Sequence, residues 1–290
     1  MFKALFIWVL DLFPRIRNRI KRKLTRIPEF NQSEGKSDSQ VTFYVESLKE
    51  NLSNQTKLRK FRRPYDYREI LEHVGYNLGK RYLSRISSLY SDRTFEIILK
   101  NKANDDFGKP IKYKYKEIGQ ISPTTLRYVA TALEINKEVG IQEEDRIAEI
   151  GIGYGGQAAV LARTFGTRDV VFFDLPDVIK LAETYLREIH SELKPRIGNL
   201  DADDNYFDLV ISNYAFSELS RDLQEEYLAK VLLRSKRGYM IMNSGRTNLT
   251  GRSTGKLGLT DLLKVLPNPR VLEEIPKTGP DNYVLVWSNS

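Results

Sequence analysis

Cysteine is absent from all 290 residues, and histidine occurs only as His73 and His190. Without thiols the chain forms no disulfide, no thiolate-held zinc and no iron–sulfur centre, which fits a reducing compartment. Two histidines are too few for a histidine-built metal site or a paired-histidine mechanism. Long apolar runs are lacking too. The run Ala4 to Leu10 has seven residues, and ten when extended through Phe13. As a helix, ten residues rise about 15 Å against a hydrocarbon core of about 30 Å, too short to span. With Lys3 alone before the apolar run and no small-residue cleavage site after it, a signal peptide is a poor reading.

Acidic residues are scarce in one place only. Residues 1–26 hold Lys3, Arg15, Arg17, Arg19, Lys21, Arg22, Lys23 and Arg26 against Asp11 alone, a balance of +7 within a chain total of +8. The remainder is close to neutral, unlike a protein that binds a phosphate backbone, so nucleic acid is not the expected partner. An apolar stretch containing Trp8 and followed by a basic segment suits a helix lying on an anionic membrane surface. An exposed helix docked on the protein itself or on a partner is the alternative. The expected location is cytoplasmic, peripheral on the inner face of the membrane.

Residues 1–30 therefore read as an amphipathic and basic helix. The stretch NQSEGKSDSQ, 31–40, has no apolar residue and reads as a linker. Residues 41–140 carry apolar residues at three- and four-residue spacing, broken at FRRPYDY and DDFGKP, and read as a helical cap. The last of its helices starts at SPTTLRY, with Ser122 as N-cap and Pro123 in the first turn. From 141 to 290 strands alternate with helices: RIAEI, DVVFFD, PRIGN, FDLVISNY and GYMIMNS are strands with helical stretches between most of them. That alternation predicts a parallel sheet covered on both faces. RVLEEI and NYVLVWS are joined only by PKTGPD, which predicts a hairpin and one antiparallel strand.

Between the first strand and its helix lies EIGIGYGG. Gly151, Gly153 and Gly156 satisfy the dinucleotide fingerprint G-x-G-x-x-G, which alone would admit an NAD-dependent oxidoreductase. Glu149 argues the other way. A carboxylate beside the glycines faces a pyrophosphate badly, but serves the ammonium of S-adenosylmethionine (SAM). Asp174, ending the second strand, can accept both hydroxyls of an adenosine ribose in either cofactor.

With EIGIGYGG, FFDLPDVI and IGNLDADDNYFDLVISNYAFSEL in order, the sequence resembles the class I SAM-dependent methyltransferases over about residues 141–290. The glycine-tyrosine-glycine-glycine loop, SPTTLRY and SNYAFSEL together resemble a bacterial family of sugar O-methyltransferases. The resemblance implies an α/β, Rossmann-like seven-stranded sheet, mostly parallel with the last strand antiparallel, under an N-terminal helical cap. It implies SAM as cofactor. Glu149, Gly151, Gly153, Tyr154 and Gly155 would hold its methionine part, Asp174 the ribose, and Leu175 the adenine. Asn199, Leu200 or Asp201 would meet the adenine edge, and Asn213 would lie beneath the methyl donor.

The motif of enzymes that methylate base amines, Asp, Asn or Ser followed by Pro-Pro and then Tyr or Phe, is absent, since this chain reads SNYAF. A sugar hydroxyl is the expected acceptor, in a surface glycan or its precursor, nucleotide- or lipid-linked. Another small molecule is the runner-up. A non-catalytic partner of a glycan assembly complex, binding the cofactor without turnover, is a further alternative. An alcohol must lose its proton as it attacks, and no histidine is available near this part of the sequence. Glu218 is the expected base, with Tyr214 orienting the acceptor. Arg127, Arg246 and Arg252 would meet an anionic acceptor. Asp201, Asp203 and Asp204 are hard ligands, but metal independence is the expectation.

Overall fold

A computed structural model describes residues 44–64, 67–68, 71–193, 195–203, 205–243 and 255–289. The expectations for the basic N-terminal helix, the 31–40 linker, Asp204, Arg246 and Arg252 lie outside the described residues. No helix among the described residues is long and apolar enough to cross a membrane.

The helical region holds α1 (Tyr44–Ser53), α2 (Gln55–Leu58), α3 (Tyr76–Leu89), α4 (Thr94–Asn101) and α5 (Pro123–Val139). A short hairpin, β1 (Tyr113–Tyr115) with β2 (Gly119–Ile121), precedes α5, where the Tyr-Lys-Tyr alternation has the period of a strand. Ser122 caps α5 as its sequence predicts: the Ser122 hydroxyl accepts the Thr125 backbone N–H at 3.1 Å. Every residue of α5 from Pro123 to Ile135 is buried. A helix buried on all sides must be packed on all sides, and α5 lies between α3 and the sheet strands β7 and β9 introduced below. The cap region and the sheet region are thus continuous through α5, inside one unit spanning 36–290.

The sheet follows: β3 (Arg146–Ile150), α6 (Gly156–Phe165), β4 (Asp169–Phe173), α7 (Pro176–Glu188), β5 (Arg196–Ile197) and β6 (Phe207–Asn213). Then come α8 (Ala215–Glu218), α9 (Arg221–Tyr227), β7 (Ser235–Met242), α10 (Leu259–Val265), β8 (Arg270–Glu273) and β9 (Tyr283–Ser288). The strand order is β5-β4-β3-β6-β7-β9-β8, with β9 alone antiparallel to its neighbours. This is the expected seven-stranded, mostly parallel sheet closed by a hairpin. After Ser220, α9 is continued by a π-helical turn, Leu228–Leu232.

Strict alternation along each strand builds two cores. Ile147, Val170, Phe172, Leu209 and Ile211 face α5, α6 and α7. Ala148, Val171, Phe173, Val210 and Met240 face α9 and α10. Because β3, β4 and β6 run parallel, their C-terminal ends share one edge, and the order reverses between β3 and β6. Ligands bind at such a switch point.

Candidate functional site

A cavity of about 300 Å³ opens at that edge. Its floor is the β3–α6 turn. Gly151 has φ +78° and its N–H donates to the Phe173 carbonyl at 2.9 Å, which ties the turn to β4. A Cβ on Gly151 would stand 2.0 Å from the Ala215 Cβ. Gly151→Ala is therefore expected to cost roughly 1–3 kcal/mol in a thermal melt, since α8 must move or the turn must strain. At Gly153, φ +54°, an added Cβ would press the Leu71 methyls at 3.3 Å.

Glu149 lies on the cavity wall, 1% exposed, and its Oε2 has no hydrogen-bond partner. Burial, then the charge of Asp174, pushes its carboxyl up to about 8. Asp174 is fixed by the same turn, accepting N–H groups from Ile152 at 2.8 Å and Leu175 at 2.7 Å. Burial nevertheless raises its carboxyl to about 6, against the pull of those backbone bonds. Leu175, the residue before α7, lines the cavity beside Phe173. Leu219, Leu223 and Tyr227 complete an apolar slot there; Leu223 and Tyr227 belong to no motif in the sequence.

Asn213, Tyr214 and Glu218 line the cavity as the end of β6 and α8. Asn213 Oδ1 is buried without a partner. Tyr214 has φ +70°, a conformation a bulky residue adopts only when its surroundings impose it. Its hydroxyl donates to Glu274, a buried carboxylate of the β8–β9 connection. Burial and then the nearby Tyr82 and Glu274 hold the Tyr214 phenol well above its ordinary range, so it acts as a fixed donor and not as a base. Glu218 Oε1 accepts from Asn243 Nδ2 at 3.0 Å. Lys256 Nζ donates to the Ser217 carbonyl at 3.1 Å. Both described ends of the Gly/Ser/Thr-rich loop after β7 thus bond to α8.

Arg127 lines the cavity from α5, 8% exposed. Its Nη2 donates to the Leu71 carbonyl at 3.3 Å and its guanidinium lies 5.2 Å from the centre of the Tyr128 ring. Burial works against the charge, but the phenols of Tyr128, Tyr82 and Tyr214 more than offset it. Among the described residues no carboxylate pairs with Arg127.

Several expected residues are not among those that line the cavity. Tyr154 is fully buried in an aromatic cluster with Tyr185 at 4.7 Å and Phe61 at 5.5 Å, with Arg62 4.8 Å over its ring. It anchors the turn from behind and does not line the cavity. Gly155 caps α6 at φ +82° and faces Ala182 and Leu186 of α7. Asn199, Leu200 and Asp201 are also outside the cavity lining. Asn199 closes a local turn onto the Asp201 N–H at 3.0 Å, Leu200 packs against the α9-side core, and Asp201 pairs with Lys230 at 2.7 Å.

The structure also brings in a histidine where the sequence offered none. Leu71, Glu72 and His73 cover the cavity mouth, and Leu71 and His73 line it. Glu72 pins them, accepting from Arg62 Nε at 2.6 Å and from the Thr124 hydroxyl at 3.1 Å. Arg62, itself fully buried, also donates to the Asn104 carbonyl at 2.8 Å and lies 3.6 Å from Asp105. No sequence motif marks this segment, since its place depends on partners 10 to 52 residues away.

No family model matches the chain, and no curated protein does. Solved structures do resemble it. The PH0226 protein of Pyrococcus horikoshii is 17% identical, over 57% of this chain and 92% of its own, with a TM-score of 0.42. Magnesium protoporphyrin IX methyltransferase from Synechocystis, with bound SAM, is 12% identical over 57% and 78%, TM-score 0.44. An O-methyltransferase family protein from Burkholderia thailandensis is 13% identical over 57% and 59%, TM-score 0.40. At such distances the functional reading rests on the chemistry of this site.

Proposed function

We propose that the protein is a SAM-dependent O-methyltransferase that acts on a sugar hydroxyl. The observation that carries the cofactor is Glu149: a buried carboxylate with an orphaned oxygen, on a cavity floored by left-handed glycines. An ammonium draws such a group into its ionised form, whereas a pyrophosphate would oppose that ionisation. Arg127, charged and without a carboxylate partner among the described residues, lines the same cavity. A buried acid and a buried guanidinium together complement a zwitterion, as the amino acid end of SAM is. Asp174 would accept from the ribose hydroxyls, and Phe173, Leu175, Leu223 and Tyr227 would bracket the adenine. When bound, SAM supplies an electrophilic methyl group on a sulfonium sulfur.

The acceptor is read from the mouth. Glu218 and His73 put proton acceptors where an incoming hydroxyl would lie, which an alcohol needs. The loop after β7, tethered to α8 at both described ends, carries Arg246, Arg252 and Lys256, a charge set that favours an anionic sugar, nucleotide- or lipid-linked. The basic residues 1–26 would keep the enzyme at an anionic membrane surface.

Calorimetry on the full-length protein with SAM, S-adenosylhomocysteine and NAD tests the cofactor. Both sulfur compounds should bind and NAD should not. Asp174→Asn, which keeps an acceptor for the backbone N–H groups but loses the charge, should weaken SAM by roughly ten- to a hundred-fold. Binding of NAD alone would return the glycine turn to dinucleotide chemistry.

A further inference from the structure

We infer that the folded body carries its own docking surface for an anionic lipid membrane, built from the turn after α2 and the β1–β2 hairpin. Outside residues 1–26 the chain is close to neutral in total, but its charge is unevenly placed. The stretch KPIKYKYK, from Lys109 to Lys116, holds four lysines in eight residues. Lys109, Lys112, Lys114 and Lys116 are all exposed, as are Arg59 and Lys60 in the turn after α2. Two bonds bring the two stretches together. The Arg62 N–H donates to the Gly108 carbonyl at 3.1 Å, and Arg63 Nε donates to the Lys109 carbonyl at 2.5 Å across 46 residues of chain.

Among the described residues none of these six cations pairs with a carboxylate. Asp106 and Glu117 are exposed acids in the same stretch, which leaves a surplus of positive charge. Several exposed cations elsewhere are paired, Lys57 with Glu50, Arg221 with Glu225 and Lys236 with Asp208. Unpaired like charges gathered on one surface gain when an anionic surface faces them.

The lysines stand on a fixed scaffold. Tyr113 and Tyr115 alternate with them, and Tyr115 is 2% exposed and stacks on Tyr76 with ring centres 5.3 Å apart. It lies so close to α3 that a Cβ on Gly79 would stand 2.1 Å from its hydroxyl. With the tyrosine face packed on α3, the period of the strand leaves Lys114 on the outer face. Lys102 Nζ holds the hairpin turn as well, donating to the Ile118 carbonyl at 2.6 Å. Tyr76, 40% exposed beside the hairpin, adds an amphipathic ring of the kind that suits a lipid–water interface.

A bilayer fits these features better than a nucleic acid. Residues 1–26 join an apolar stretch containing Trp8 to a basic one, and a phosphate backbone has no use for the apolar part. Stable attachment to a bilayer takes two weak signals, and the hairpin surface supplies the second.

Co-sedimentation of the full-length protein with phosphatidylcholine vesicles, with and without about one-third phosphatidylserine, measures the attachment. Lys112→Gln, Lys114→Gln and Lys116→Gln combined should weaken partitioning onto the anionic vesicles by roughly ten- to a hundred-fold. Removing equal charge from the exposed side chains of α7 and α10, by Lys180→Gln, Arg187→Gln and Lys264→Gln, should weaken it by less than about three-fold. Both variants should melt with the wild type, as changes to exposed side chains do. Equal losses in the two variants would reduce the effect to net charge and overturn the proposal. So would an unchanged hairpin variant, or a wild type that does not prefer anionic over neutral vesicles. A short nucleic acid duplex whose binding depends on the hairpin lysines, with vesicle binding untouched, would assign the surface to nucleic acid instead. None of these readouts involves the cofactor, so the inference stands or falls apart from the proposed function.

Discussion

Replacing Glu149 with glutamine should make the ligand-free protein more stable near neutral pH while removing most of its affinity for SAM. Burial, and then the charge of Asp174, raises the Glu149 carboxyl from an ordinary 4.5 to about 8 in the folded chain. Below pH 4.5 folded and unfolded chains both hold the proton. As pH rises toward 8 the unfolded chain releases it and the folded chain does not, so stability falls across that window. At pH 7 the loss amounts to about 3 kcal/mol. Glutamine cannot ionise and so escapes it, although desolvating its amide takes back about 1 kcal/mol. The variant should thus melt roughly 4–8 °C higher at pH 7 and show little advantage at pH 4.

Binding should respond in the opposite sense. An ammonium placed at Glu149 favours the ionised carboxyl, so the wild type should release about one proton per SAM bound near pH 7. Calorimetry in buffers of different ionisation enthalpy measures that number. With glutamine the release should disappear and affinity should fall by at least about a hundred-fold, because the charge-assisted bond is gone. A variant that is no more stable at pH 7 yet binds SAM normally would remove Glu149 from the site altogether.

Arg62→Met should be the most damaging single change outside the cavity. Its guanidinium is fully buried, bonded to Glu72 and close to Asp105, whose side chains are 5% and 2% exposed. Removing one member leaves two carboxylates buried without their cation, a loss of about 3–5 kcal/mol. For a chain of this size that is a drop in melting temperature of roughly 10 °C. Adding Glu72→Gln and Asp105→Asn to the same variant should recover much of it, since the stranded charges are then gone. A single-variant loss below about 1 kcal/mol would show that the network is dispensable. Because Glu72 pins Leu71 and His73, the single variant should also loosen the cavity cover.

The two substitutions mark the boundary between what was legible in the chain and what was not. Glu149, Gly151, Gly153, Asp174, Asn213, Tyr214 and Glu218 could be read as one site because each sits at or just past the end of a parallel strand. Parallel strands joined by helices bring those ends to a common edge whatever the side chains between them are. The alternation of strands with helices likewise marked β3, β4 and β6 as covered on both faces, and the pairing of Ser122 with Pro123 settled where α5 begins.

Arg62, Leu71 and His73 were not legible, because nothing near them in sequence shows what they touch. Two histidines are too few for a histidine-built metal site or a paired-histidine mechanism; folding places one of them in the cavity lining. The same kind of packing holds Tyr154 and the Asn199–Asp201 turn outside the cavity lining. Each lies next to a motif residue, but the Tyr154 ring finds an aromatic cluster and Asp201 finds Lys230. The sequence by itself determined the sheet, the edge at which its cavity opens and the carboxylate placed there, since hydrophobic period and strand connectivity are local and cumulative properties of a chain. The cover over that edge was decided only by tertiary structure, because burying a charge such as Arg62 succeeds only where partners from distant segments arrive together.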